Sequence, residues 1–278
     1  MVQARTLDVL ITVKTYPIPS KKYDELVCTA GVLPDGQFVR LYPINFRDLP
    51  FSRQYRKYQW IRVRAEKHGG RDSRKESYRP YCDTLKVLGE PIPTGPGGDW
   101  SERAKFALAG KSDSMEHLYE KKNNDGTSLG VFRPKNVKDL IVSPDTSDWK
   151  PSFRAALLQA QLWETRRITC EPPRKVPFRF QYVFECDDGR CKGKHQMMIE
   201  DWELGALFWK LVDKGDSHER AAEKVKERFL TDLCGPDKET YFYVGTVLGH
   251  GTWVVIGVFY PSARFHDKLT TRTPPLFR

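Results

Sequence analysis

Alternation of apolar and polar residues dominates the first ninety positions. Leu7 to Thr15 follows the period of two expected of a half-buried strand, and Glu25 to Gly31 and Gln37 to Tyr42 read the same way. The latter pair flanks Leu33-Pro34-Asp35-Gly36, whose Asp-Gly step supplies the left-handed backbone of a tight turn, so a hairpin is expected there. Gln59 to Glu66 and Thr84 to Leu88 add further strands. Five or so short strands in so few residues suit a small barrel or a strongly curled sheet.

The pattern then changes. A Pro/Gly-rich stretch from Glu90 to Asp99 interrupts the strands, and Asp99 is placed to cap a helix over Trp100 to Ala109, with Glu102 three residues on. Ser112 to Lys122 reads as a second helix, and strands return at Gly130 to Arg133 and Val137 to Val142. Ser152 to Trp163 fits either a short helix or a connector, and the proline-rich run Glu171 to Pro177 reads as a linker. Beyond it, Phe178 to Cys186 alternates as a strand. Ile199 to Asp213 and Ser217 to Leu233 carry apolar residues at helical spacing. Thr240 to Val247 and Thr252 to Tyr260, joined by Gly249 to Gly251, close the chain as two strands. The expected fold is α+β: a β-rich barrel-like region over residues 1–170 and a mixed β-α-α-β-β domain over 171–278.

Charge gives this frame a direction. The 278 residues carry 46 Lys+Arg against 36 Asp+Glu, a net +10. Twelve basic and four acidic residues fall between Arg40 and Pro80, which places +8 of that excess in one tract. Arginine predominates, and Tyr55, Tyr58, Trp60 and Tyr78 are interleaved with it. A planar guanidinium matches phosphate and an aromatic ring stacks on a base, so the tract points to nucleic acid, with DNA favoured. The expected contacts are Arg40, Arg47, Arg53, Arg56, Lys57, Tyr58, Trp60, Arg62, Arg71, Arg74, Tyr78 and Arg79. A solvated charged face is the alternative. No run approaches the ~20 apolar residues of a membrane span, and no signal-peptide layout opens the chain. Six cysteines diluted through this length argue against a disulfide framework and for a reduced cytoplasm.

Three clusters could carry chemistry. Cys186, Cys191 and His195 lie within ten residues around a glycine-containing loop, the layout of a zinc knuckle, with Cys170, His250 or Cys234 as candidate fourth ligands. Asp201 and Glu203 open a helix just beyond; they either complement its dipole or supply the carboxylate that a nuclease or glycosylase needs. Asp72 and Glu76 stand inside the basic tract, either paired with arginines or placed for chemistry on a nucleotide. Phosphate-loop, dinucleotide-binding, nucleophile-elbow and zinc-deaminase patterns are all missing.

Several blocks carry a family resemblance: Ile11-Thr-Val-Lys-Thr-Tyr-Pro17, Val27-Cys-Thr-Ala-Gly31, Arg40-Leu-Tyr-Pro43, Tyr243-Val-Gly245 and Trp253-Val-Val-Ile-Gly257. Together they resemble stand-alone prokaryotic proteins with dual oligonucleotide-binding (OB) folds, associated with phage-defence neighbourhoods. The resemblance implies a cytoplasmic bacterial protein of two small barrels that handles DNA or RNA. It assigns no active-site residue. By analogy, base excision by a DNA glycosylase is the expected activity, because it needs a basic groove, a pocket for an extruded base and one carboxylate. The alternatives are a metal-dependent nuclease and a non-catalytic reader with a structural zinc.

Overall fold

The computed structural model describes residues 4–20, 24–68, 72, 74–151 and 173–267. The sequence expectations for Arg71, for Cys170 and for Ser152 to Trp163 fall outside them.

The alternating N-terminal segment becomes seven strands: β1 (Arg5–Lys14), β2 (Ile18–Ser20), β3 (Asp24–Val32), β4 (Phe38–Ile44), β5 (Trp60–Lys67), β6 (Ser77–Pro80) and β7 (Lys86–Leu88). β1 pairs with both β3 and β5, β3 pairs with β4, β4 runs parallel to β6, and β6 returns to β5. The ring β1-β3-β4-β6-β5 therefore closes on itself, which is the five-stranded barrel of an OB fold. Its interior is filled by Leu7, Val9, Ile11, Val27, Val39, Leu41, Ile61 and Val63, the inward set of the period-two pattern. The β3–β4 hairpin turns at Gly36, whose φ of 83° lies in the region that glycine enters without steric cost.

Helix α1 (Ser101–Ala107) and helix α2 (Met115–Asp125) follow, then β8 (Leu129–Phe132) and β9 (Asn136–Pro144). The C-terminal stretch supplies β10 (Phe178–Glu185), β11 (His195–Met198), α3 (Trp202–Val212), α4 (His218–Lys226), β12 (Tyr241–Thr246) and β13 (Trp253–Phe259). These strands build two three-stranded sheets, ordered β11-β10-β9 and β13-β12-β8. The chain thus changes sheet partners near residue 110, ahead of the proline-rich segment at 171–177.

Local boundaries shift from the sequence reading for physical reasons. Asp99 does not occupy the N-cap position of α1, which is Trp100; its carboxylate instead accepts from Ser101 N at 2.9 Å. Ser114 caps α2, accepting from His117 N, so that helix begins three residues later than its pattern implies. The segment after α4 continues through Glu227–Asp232 in wider π-type turns. β2, β6 and β11 are strands beyond those the sequence pattern implies. β6 lacks apolar alternation because Ser77 is buried for its hydroxyl, not for hydrophobicity.

The barrel and the C-terminal sheets share one core. Val13, Ala30 and Tyr58 from the barrel pack with Leu129, Val131, Tyr243, Ile256 and Phe259. A polar strut crosses the same seam: Arg40, 1% exposed, donates to Ser77 Oγ at 3.1 Å, to Ser128 Oγ at 2.8 Å and to Ser128 O at 2.9 Å. Glu76 completes it by accepting from Ser128 N and Oγ. Five cysteines among the described residues are free thiols, and no described helix is long and apolar enough to cross a membrane.

Close approach at Gly31 is a test of the barrel. A Cβ there would sit 2.2 Å from the Leu10 carbonyl oxygen and 2.7 Å from Val9 Cγ1, so backbone would have to move. Gly31→Ala is expected to cost about 1–3 kcal/mol, read as a lower urea midpoint at unchanged slope.

Candidate active site and metal cluster

A cleft of about 640 Å³ opens where the barrel meets the C-terminal half. Lys14 at the end of β1 and Arg56, Lys57 and Tyr58 on the β4–β5 loop line one side; Asp201, Trp202 and Glu203 at the start of α3, with Tyr260 after β13, line the other. Glu90, Trp100 and Arg103 complete it.

Each wall is held by its local structure. Asp201 is the N-cap of α3: its Oδ1 accepts from Glu203 N at 2.8 Å, while a bridge between Thr15 and Asp201 ties the helix start to the barrel. Trp202 enters the barrel side, 5.4 Å edge-on to Phe46. Tyr58 has a φ of 61°, an unusual conformation for a bulky residue, and is fixed there by Tyr58 N to Ile11 O at 2.6 Å and Ile92 N to Tyr58 O at 2.7 Å. Its ring stands 6.0 Å from Trp100, and the Arg103 guanidinium lies 4.6 Å over it.

The charges in this cleft do not cancel pairwise. Lys57, whose side chain is 14% exposed, binds Glu203 at 2.9 Å and stands 4.0 Å from Asp201 Oδ2. Burial works against the Lys57 ammonium, but the two acids outweigh it and hold its pKa above the ordinary lysine value. Asp201 is buried and is pushed up to about 6, chiefly by desolvation; Lys57 opposes the shift and Glu203 adds to it. Lys14 is lowered to about 8 by burial, its ammonium 3.9 Å over the Phe46 ring and 4.8 Å over Trp202. Among the described residues, neither Lys14 nor Arg103 has a carboxylate within ion-pairing distance.

Asp201 and Tyr58 both line this cleft, and each has a side-chain oxygen, Oδ2 and Oη, buried without a side-chain hydrogen-bond partner; the Asp201 oxygen stands 4.0 Å from the Lys57 ammonium. Buried polar groups in folded proteins are nearly always satisfied, so two unpartnered oxygens on residues of one cleft are unusual.

Other residues from the basic tract lie elsewhere. Arg40 is interior, as described. Arg47 is paired with Glu25, Arg56 with Glu90, Arg62 with Asp8 and Arg74 with Asp72. Tyr78 receives Arg5 and has the Lys67 ammonium 4.5 Å over its ring; Trp60 packs edge-on against Phe106. Arg53 is half-buried and Arg79 exposed. Asp72 is held down to about 2 by the Arg74 guanidinium and further hydrogen bonds that overcome its burial, and the Glu76 carboxylate is engaged with Ser128. The tract is thus divided among interior struts, ion pairs and the cleft wall. Lys14, Trp100, Arg103 and Tyr260, which sequence patterns did not single out as site residues, complete the cleft.

Cys186, Cys191 and His195 do converge, and the fourth member of their group is Glu116 on α2. One donor atom from each lies within 4.8 Å of the others. Cys234 is placed elsewhere, near Tyr182 and the Phe229 carbonyl. None of the four lines the cleft.

Comparison with known proteins adds the following. A family model described as "Domain of unknown function (DUF8757)" matches residues 111–275, and one described as "Domain of unknown function (DUF8758)" matches residues 5–109. No curated protein matches the chain. Among solved structures, the chain is similar to a murine DNA binding protein bound with double-stranded DNA, at 9% identity and a TM-score of 0.29, covering 93% of this chain and 96% of that one. It is also similar to a Replication Protein A heterotrimer bound to single-stranded DNA, at 11% identity and a TM-score of 0.22, covering 95% of this chain and 65% of that one.

The raised Asp201 sets a pH dependence. Its folded form keeps a proton that the unfolded chain releases between the ordinary aspartate value of 3.8 and about 6, so ionisation of this group lowers stability as pH rises through that window. Asp201→Asn retains a capping side chain and removes the titration. Urea midpoints are expected to fall less in the variant than in the wild type between about pH 4 and pH 7.

Proposed function

The chain belongs to the DUF8757 family, and on that premise we propose that it binds nucleic acid, DNA in preference, and excises a base in the cleft, as a DNA glycosylase does. The observation carrying this reading is the lining of the cleft, where Tyr58, Trp100, Trp202 and Tyr260 stand with the acids Asp201 and Glu203.

Such a cavity suits an extruded nucleotide, whose flat base stacks between rings while its edge meets polar atoms. Arg103 and Lys14, neither with a carboxylate at ion-pairing distance among the described residues, provide the positive charge that attracts the phosphates on either side.

Asp201, whose pKa burial raises, is the carboxylate assigned here to the chemistry. The bond between C1′ and the base nitrogen breaks with its electron pair leaving on the base. The carboxylate stabilises the positive charge that develops on the sugar, takes a proton from the water that adds to C1′, and returns it to the departed base anion, which regenerates the carboxylate. Lys57 holds Asp201 and Glu203 in one array, so the second acid adds charge without occupying the reaction path. A cavity roomier than an unsubstituted pyrimidine requires accommodates a modified base, which is how the reading extends to foreign DNA and to a role in defence.

The metal-dependent nuclease is the weaker reading, because among the described residues the group able to hold an ion is Glu116, Cys186, Cys191 and His195, away from the cleft acids. The non-catalytic reader with a structural zinc draws on the same four residues and would leave the cleft without chemistry.

Incubation with plain and phage-modified DNA, followed by native and alkaline gels, tests the proposal. Abasic sites that break only on alkaline heating are the expected product. Asp201→Asn should lower their formation about 100-fold or more while leaving DNA affinity within about twofold. Binding without product by the wild type would select the reader, and direct cutting abolished by chelator the nuclease. Affinity itself should fall steeply between low and moderate salt.

A further inference from the structure

We infer that Glu116, Cys186, Cys191 and His195 bind one zinc ion as a closed four-ligand site, and that this ion anchors the strand that delivers Asp201 to the cleft. Zinc takes thiolate sulfur, imidazole nitrogen and carboxylate oxygen in a tetrahedral set, and this group offers two sulfurs, one ring nitrogen and one carboxylate.

The residues fit that ion in detail. Cys191 Sγ lies 3.4 Å from His195 Nε2, and the same nitrogen lies 2.9 Å from Glu116 Oε1, so three ligands already face a common point. Glu116 Oε2 is buried without a hydrogen-bond partner, which a bound cation would explain. Backbone amides aim at both sulfurs: Met115 N at Cys186 and Cys186 N at Cys191, each at 3.4 Å. Amide donors of this kind offset the charge of metal-bound thiolates.

The supporting shell is equally specific. Phe184 stacks on the His195 ring, with centroids 5.0 Å apart. Asp188 accepts from Ser114 Oγ at 2.6 Å, joining the cap of α2 to the cysteine loop, and the Asp188 carbonyl accepts from Cys191 N at 2.9 Å. Four protein ligands leave no open position, so the ion holds structure and activates no water.

His195 begins the extended run that ends at Asp201. Between them, Ile199 N bonds Phe180 O at 2.9 Å and Glu200 N bonds Val255 O at 2.8 Å, so the run is stitched to both C-terminal sheets. The ion fixes its far end to α2. Zinc binding stands apart from the base-excision reading; only the consequence for catalysis rests on it.

Metal analysis of the purified full-length chain tests the site, with one zinc per chain expected. Exchange to cobalt should give thiolate charge-transfer and tetrahedral ligand-field bands. Glu116→Gln should weaken zinc binding by about tenfold or more, and Cys191→Ser should reduce zinc content to background. Should the variants fail to fold, the cobalt spectrum of the wild type still decides. Zinc removal should accelerate hydrogen exchange at the amides from Met198 to Glu203, measured without reference to any activity. Substoichiometric metal with no cobalt spectrum would overturn the site; unchanged exchange in that segment would overturn the anchoring.

Discussion

Everything at the cleft depends on the barrel and the C-terminal sheets sharing a core. Val13 and Tyr58 are buried against Tyr243, Ile256 and Phe259, and neither half would cover its own face without the other. The Arg40 strut adds direction to that contact. An apolar seam tolerates sliding, but a buried guanidinium bonded to Ser77 and Ser128 fixes one alignment, because any slip would strand a buried donor. The walls of the cleft come from opposite sides of this seam and inherit its alignment.

That alignment also explains the electrostatics. Two acids, Asp201 and Glu203, and two lysines, Lys57 and Lys14, are brought together at the cleft wall, and they are buried to unequal degrees. The more buried acid, Asp201, bears the cost as a raised pKa, while the half-exposed Glu203 keeps the closer contact with Lys57. Lys14 is strained in the opposite sense, losing hydration to the rings around it. Perturbation of this kind concentrates where polar groups are arranged for chemistry and not for stability.

Much of the scaffold was legible in the residues. The period-two strands and the Asp-Gly turn led directly to the barrel, and the acid preceding an apolar helical stripe at Trp202 was recognisable as a helix start. The burial of the same acid beside Lys57 was not legible, since it depends on the barrel packed opposite. Lys14 gave a faint sign, a lysine inside an apolar strand. Tyr58 was legible as an aromatic residue within the basic tract, but its left-handed backbone was not, because bonds to Ile11 and Ile92, far away in the chain, impose it. Glu116 stands seventy residues before Cys186, on a helix whose pattern reads simply as solvated, so only the fold could bring it to the cysteines and histidine. The basic tract misled in one respect: composition counts charges, but whether an arginine is free depends on which carboxylate the fold sets beside it.

Trp202 belongs to α3 by sequence and to the barrel by contact, wedged against Phe46 and near Tyr16. A hinged, clamshell movement of the two halves would have to extract that indole from its seat, which makes the cleft a preformed receptacle. On the proposed function, the timing of engagement then passes to the partner. Capture waits on how often a duplex breathes and exposes a nucleotide, so distorted or poorly stacked sites would be taken first by kinetics alone, before any reading of the base.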